Sequence, residues 1–246
     1  MKLSAAMIVK DAEKTLSECL ESIVKAVDEI VIVDTGSKDQ TLSIIYDRQS
    51  KYKHIRLFHF EWINDFAAAR NYSLEQVKSE WAFVVDSDDI LPVEQVGRVK
   101  ELTSRMDELG KKAVFDIVYD NTVAGAVVES IPTGYVRLFP SYLRYEDRIH
   151  EQIRYGDLPR IQSDIHLLHS GYDVNLVDMQ AKKKRNIDLL IQSLQADQEN
   201  ARLWMHLGRE MSILDKEKAL RYLDIAESKS NNPQLLKWIS QSKKDL

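Results

Sequence analysis

Apolar and polar positions alternate in two distinct ways along the chain. Over the first ninety residues, continuous apolar runs are separated by amphipathic stretches, which is the pattern of βαβ units and a largely parallel sheet. Leu3–Val9 reads as a buried strand. Leu16, Cys19, Leu20, Ile23 and Val27 then recur at helical spacing and predict a helix with one apolar face, Cys19 being a small core residue on it. A second strand, Glu29–Val33, stops at Asp34-Thr35-Gly36-Ser37. Ser37 followed by Gln40 has capping-box spacing and predicts a helix from near Lys38 through Ile45. A third strand near His54–His59 precedes a helix opened by Phe66-Ala67-Ala68-Ala69-Arg70-Asn71, with Asp65 as its cap. Trp81–Val85 is a fourth strand ending at Asp86-Ser87-Asp88-Asp89, and Pro92 starts a helix carrying Val96, Val99, Leu102 and Met106.

From Ala113 the pattern shortens to strand-like pieces at Val114–Tyr119, Ala126–Ile131 and Tyr135–Phe139. They are broken by Asn121, Gly125, Pro132-Thr133-Gly134 and Pro140, and predict antiparallel structure added to the parallel core. A last apolar piece, Ile165–Leu168, ends at His169-Ser170-Gly171-Tyr172. Beyond about Met179 the pattern is helical, so the expected division is a domain over 1–178 and a helical tail over 179–246. Within the tail, Trp204, Leu207, Gly208, Met211, Ala219 and Leu223 follow the spacing of one tetratricopeptide unit, too few for an independent array. The tail is therefore expected to act as a helical cap, and it offers a surface for a homodimer.

Composition narrows the function. The single Cys19 excludes an intramolecular disulfide framework and a Cys-rich zinc knuckle. No uninterrupted apolar run approaches the ~20 residues of a membrane helix, and the N-terminal apolar stretch is too short for a signal peptide, so a cytoplasmic protein is expected. The formal net charge is −5. Residues 1–175 hold 21 Lys/Arg against 29 Asp/Glu, a net −8, which disfavours nucleic acid as a partner and raises the question of bound cations. The basic run Lys182-Lys183-Lys184-Arg185 reads as a solvated helix face.

Asp34 and the group Asp86, Asp88 and Asp89 each follow an apolar strand, so both are expected on the sheet edge where open α/β folds bind ligands. Glycine-rich phosphate cradles are missing from the sequence, which has 8 glycines. Asp-x-Asp can instead present hard oxygens to Mg²⁺ or Mn²⁺, which neutralises a diphosphate. An EF-hand fails because Ile90 and Pro92 fall where the loop needs a ligand and flexibility. A zincin fails because Arg154 stands where the second His belongs. Glu151, after His150, is a candidate general base beside such a metal, and His169 a candidate ligand with Asp88.

Taken in order, Met7–Glu13, Asp28–Thr41, Asp65–Asn71, Trp81–Asp89, Arg137-Leu138-Phe139, Ile149-His150-Glu151 and His169-Ser170-Gly171-Tyr172 resemble family 2 glycosyltransferases of the GT-A fold. The resemblance covers about residues 1–175. It is closest to the bacterial branch with C-terminal tetratricopeptide-like helices, which includes glycocin peptide S-glycosyltransferases, and extends to lipopolysaccharide-core glucosyltransferases. It implies an α/β fold with a mixed, Rossmann-like sheet, flanking helices and a short C-terminal helical extension. It also implies a metal-dependent, inverting transfer of sugar from a nucleotide-diphosphate donor, UDP-linked, to a peptide or saccharide acceptor, with Mn²⁺ or Mg²⁺.

By position, the resemblance implies that Asp34 holds the base of the donor with the backbone of Val9 and Lys10 nearby. Asp86 would contact ribose or sugar, Asp88 the metal, His169 the diphosphate or metal, and Arg70 the diphosphate or sugar. Glu151 would be the base, with Asp147 and Asp89 as rivals. Many relatives read Asp-Ala-Asp-Glu where this chain has Asp86-Ser87-Asp88-Asp89. Two other readings compete. In a haloacid-dehalogenase-type phosphotransferase Asp86 would be a covalent nucleophile, and in a non-catalytic module the tail would recruit a protein.

Overall fold

A computed structural model describes residues 2–132, 134–173, 176 and 178–246. Thr133 of the predicted turn, and Met1, lie outside the described residues. The chain separates into two compact units, one of residues 1–146 and 151–177, the other of 147–150 and 178–246.

The first unit is built on β1 (Leu3–Val9), β2 (Glu29–Asp34), β3 (Ile55–His59) and β4 (Trp81–Val84), all parallel, in the order β3-β2-β1-β4. The residues of β1, β2 and β4 are nearly all buried because helices cover both faces, while the edge strand β3 buries only Ile55. On one face Leu16, Cys19, Leu20 and Ile23 of α1 (Leu16–Ile23), Ile45 of α2 (Thr41–Lys51), and Val99 and Met106 of α4 (Val96–Glu108) pack with Leu3, Met7, Ile30 and Phe83. On the other, Ala67 and Leu74 of α3 (Phe66–Glu75) pack with Ala6, Ala82 and Val84. The pleat sends alternate residues of each strand to opposite cores. Glu29, buried at the start of β2, is tolerated because it accepts hydrogen bonds from Ser4, Arg56 and the Lys78 amide.

Beyond β4 the sheet turns mixed, continuing through β8 (Val136–Pro140), β6 (Val114–Val123), β11 (Arg160–His169) and the two-residue β5 (Asp89–Ile90); β7 (Ala126–Ile131) hangs on β6. The predicted antiparallel addition is present in the β4/β8, β6/β8 and β6/β7 pairs, but β6 and β11 run parallel. β9 (Arg144–Glu146) and β10 (Gln152–Arg154) form a separate hairpin, whose Tyr145 and Ile153 join the second core.

Two helix starts differ from expectation. The helix predicted from Lys38 begins at Thr41 and runs to Lys51, because Ser37 accepts a hydrogen bond from the Asp11 amide instead of capping. Asp39 takes the Thr41 amide in its place. Pro92 opens a 3₁₀ turn, Val93–Gln95, before α4.

The second unit is helical: α5 (Met179–Ala196), α6 (Ala201–Met211), α7 (Lys216–Ser228) and α8 (Pro233–Lys244). Asp178, Asn200, Asp215 and Asn232 cap them by accepting first-turn amides, the usual economy for short polar side chains at helix starts. Met205, Leu223, Ala226 and Ile239 make its core. Gly208 admits the α6–α7 approach: a Cβ there would lie 2.8 Å from Leu223 Cγ. Among the described residues, no helix is long and apolar enough to cross a membrane.

Candidate active site

β1 lies between β2 and β4, so the residues following those two strands flank the end of β1, at the switch in strand order where such sheets bind ligands. Asp34, 4% exposed, pairs in register with Val9. Its carboxylate accepts from the amides of Gly36 (3.0 Å) and Ser37 (3.2 Å), and Gly36 takes the positive φ of +100° that this turn needs. His59 stands beside it, Nδ1 3.7 Å from Oδ2. Val9 is buried and its carbonyl is already taken by Thr35, through the amide at 2.9 Å and the hydroxyl at 3.0 Å. That acceptor closes the protein's own turn, and the Val9 backbone lies beside Asp34 as the resemblance implies. Lys10 is exposed just beyond it.

The second acidic group is divided by its surroundings. Asp86 is held by two arginines, Arg70 Nη2 at 2.8 Å on Oδ1 and Arg137 Nη2 at 2.9 Å on Oδ2. Burial alone would raise its pKa, but Arg137 and Arg70 hold the carboxyl well below the usual range. An anion clamped on both oxygens is a poor nucleophile, which removes the basis of the dehalogenase-type reading. Arg70 also donates from Nε to Glu151 Oε1 at 2.6 Å, so this buried guanidinium ties Asp86 to Glu151. Burial would weaken its proton affinity, yet Asp86 and Glu151 raise it. Nη1 of Arg70 is buried with no hydrogen-bond partner among the described residues.

Asp89 is fully buried and satisfied. Oδ2 accepts from the Asp86 amide (2.8 Å) and the Tyr119 hydroxyl (3.1 Å), and Oδ1 faces His169 Nδ1 at 2.8 Å. It therefore orients His169 and is not placed to serve as a base. Asp147, the other rival, belongs to the second unit and pairs with Arg202.

The β5–β11 pairing, His169 opposite Asp89, brings together residues eighty positions apart. With Nδ1 turned to Asp89, the ring presents Nε2 outward, as metal-bound histidines do when a carboxylate fixes the other nitrogen. Asp88, Asp89 and His169 each offer a ligand atom within 4.8 Å of the others. A cradle is visible at Gly171, where a Cβ would meet His169 Nε2 at 2.5 Å and Asp88 Oδ2 at 2.6 Å. Two donor atoms thus converge on space that only glycine leaves open. Desolvation would lower the His169 pKa, but its bond to Asp89 and the nearby Asp88 raise it.

Asp86, Arg70 and Glu151 are joined by direct ion pairs, Asp88 stands beside His169, and Asp89 links the two groups, while Asp34, Val9 and Lys10 form the flank across β1. The residues sequence reasoning left without a role are Arg137, Asp89 as the support of His169, and Gly171. A lone arginine in the apolar strand Val136–Pro140 was the available signal for Arg137, because a buried charge needs a partner.

The sequence model of glycosyl transferase family 2 matches residues 4–156, and the chain belongs to this family. Among curated relatives, the SPbeta prophage-derived glycosyltransferase SunS of Bacillus subtilis is 27% identical over 232 residues, covering 90% of this chain and 52% of that protein. The lipopolysaccharide core biosynthesis glycosyltransferase LpsC of Rhizobium meliloti is 32% identical over 109 residues, 44% of this chain and 40% of that protein. The chain thus spans about half the length of such relatives or less. The crystal structure of S. aureus TarS 1-349 in complex with UDP-GlcNAc superposes with a TM-score of 0.58 at 16% identity, covering all of this chain and 89% of that one. The fold is the GT-A fold of that protein: a mixed sheet with flanking helices and helices at the C-terminus.

Proposed function

We propose that the chain is a metal-dependent, inverting glycosyltransferase that takes a sugar from a nucleotide-diphosphate donor, UDP-linked, and transfers it to a peptide or saccharide acceptor. The observation that carries this reading is the convergence of Asp88 Oδ2 and His169 Nε2 over Gly171, beside the Asp86–Arg70–Glu151 chain. Family membership and the UDP-GlcNAc complex of TarS support the donor class.

Asp88 and His169 would hold Mn²⁺ or Mg²⁺. The bound ion supplies Lewis-acid stabilisation of the departing diphosphate. Asp34 accepts from the base, the exposed main chain at Lys10 lies beside it, and Asp86 turns its remaining lone pairs to ribose or sugar hydroxyls. Arg70 orders Asp86 and Glu151, and its Nη1 is the group left for the diphosphate. Glu151 keeps Oε2 to take the acceptor proton as the acceptor attacks the anomeric carbon opposite the leaving group. The tail, with its tetratricopeptide-like α6–α7 pair, is read as an acceptor or homodimer surface.

Calorimetry with UDP in the presence and absence of Mn²⁺ tests the reading. Wild type should bind UDP at least tenfold more tightly with the ion, and Asp88→Ala should lose that gain. An Asp88→Ala protein with the full Mn²⁺ enhancement would remove the metal assignment.

A further inference from the structure

The loop joining β9 to β10 does not belong to the unit that contains those strands. Asp147 to His150 form part of the helical unit, while Glu151, the next residue, returns to the sheet unit. The attachment is specific. Arg202 of α6 donates from Nη1 to Asp147 Oδ2 at 3.1 Å and from Nη2 to the His150 carbonyl at 2.8 Å, so one guanidinium grips both ends of the four-residue segment. One helical turn further along α6, the His206 ring stacks on His150 with centroids 3.7 Å apart and planes 10° from parallel. Asp147 and His150 both hold left-handed backbone, with φ of +70° and +53°. Non-glycine residues adopt this conformation at a cost and keep it only where surrounding contacts impose it. Arg202 and His206 are among those contacts.

We infer that α6 is a positioning element for catalysis: Arg202 and His206 hold the 147–150 segment so that Glu151, one peptide bond away, stands where it can act as base. This rests on the reading of Glu151 given above. Arg202 and His206 act on Glu151 through the 147–150 segment, so they are positioning residues. A base displaced by about 1 Å can cost ~100-fold in rate, whereas the contact proposed for the donor's base, at Asp34, lies on the other flank of β1.

The test compares Arg202→Ala, His206→Ala, His206→Phe and Glu151→Gln in the full chain. The three readouts are amide exchange over residues 144–154, calorimetric UDP binding with Mn²⁺, and UDP release from UDP-GlcNAc and UDP-glucose with water as acceptor. Arg202→Ala and His206→Ala should exchange at least tenfold faster at 147–151, bind UDP within twofold of wild type, and show kcat lowered tenfold or more at a donor KM within twofold. His206→Phe preserves a stacking ring and should stay within threefold of wild type on every readout, which separates loss of the clamp from general misfolding. Unchanged exchange in Arg202→Ala, or UDP affinity falling in step with kcat, overturns the inference. If Glu151→Gln releases UDP at the wild-type rate, Glu151 is not the base and the catalytic half of the inference falls with that reading. The exchange data then still decide whether α6 holds the loop.

Discussion

At the scale of single residues, chemical type and chemical role separate within one tetrapeptide. Asp86, Asp88 and Asp89 are three identical carboxylates two and one positions apart, yet one is clamped by two arginines, one lines the Gly171 cradle and one is buried behind His169. That group was legible as a candidate cation site, because paired hard oxygens at a strand end suit a divalent ion, but the division of labour was not. It depends on which oxygen meets Arg137, Tyr119 or His169, all supplied from distant strands. Gly171 makes the cradle testable. Its backbone is not in the left-handed region, so alanine is conformationally acceptable there, but the new methyl would sit 2.5 to 2.7 Å from His169 and Asp88 side-chain atoms. Gly171→Ala should therefore weaken Mn²⁺ binding tenfold or more, read by electron paramagnetic resonance of free Mn²⁺, with an unchanged far-ultraviolet spectrum. Wild-type affinity in that variant would move the ion elsewhere.

At the scale of elements, α3 carries the residue on which the site turns. Asp65 caps it by accepting the Ala68 amide at 2.8 Å, and Arg70 follows on the second turn, aimed at Asp86 and Glu151. Removing such a cap costs about 1 kcal/mol, so Asp65→Ala should lower unfolding stability by about that amount in urea titration. Because the first turn frays, kcat for UDP release should fall further than the small stability loss would suggest. A variant as stable and as active as wild type would show that Arg70 is held by its ion pairs alone. The capping role of Asp65 was readable from sequence, as was Cys19, which is buried on α1 with its thiol donating to the Asp86 carbonyl. Burial pushes that thiol's pKa up, away from reactivity. The misplaced start of α2 has a local cause: Ser37 had two partners in reach, and the loop from Lys10 to Glu13 won.

At the scale of the molecule, the first unit is clipped shut at the opposite end of β1 by Asp28. It accepts from the amides of Lys2 (2.9 Å) and Leu3 (3.2 Å) and pairs with Lys100 (2.9 Å). Burial would raise its pKa, but these partners lower it to about 2. A folded pKa below the unfolded value of ~3.9 means the stabilisation is complete above about pH 5 and is lost as pH falls towards 2. The melting temperature of Asp28→Asn should therefore lie below that of wild type at neutral pH, and the gap should close between pH 5 and pH 2. A gap that persists at pH 2 would assign the effect to packing rather than charge. What the sequence determined by itself was the kind of most elements and the carboxylates at the strand ends, because helical and strand periodicity, caps and strand-terminal carboxylates are local properties. What only the tertiary structure decided was partnership. The two-residue β5 beside β11, the arginine that joins Asp86 to Glu151, and the four loop residues given to the helical unit all join positions tens of residues apart. Such contacts come from shared burial and the satisfaction of buried charge, which no stretch of sequence encodes alone.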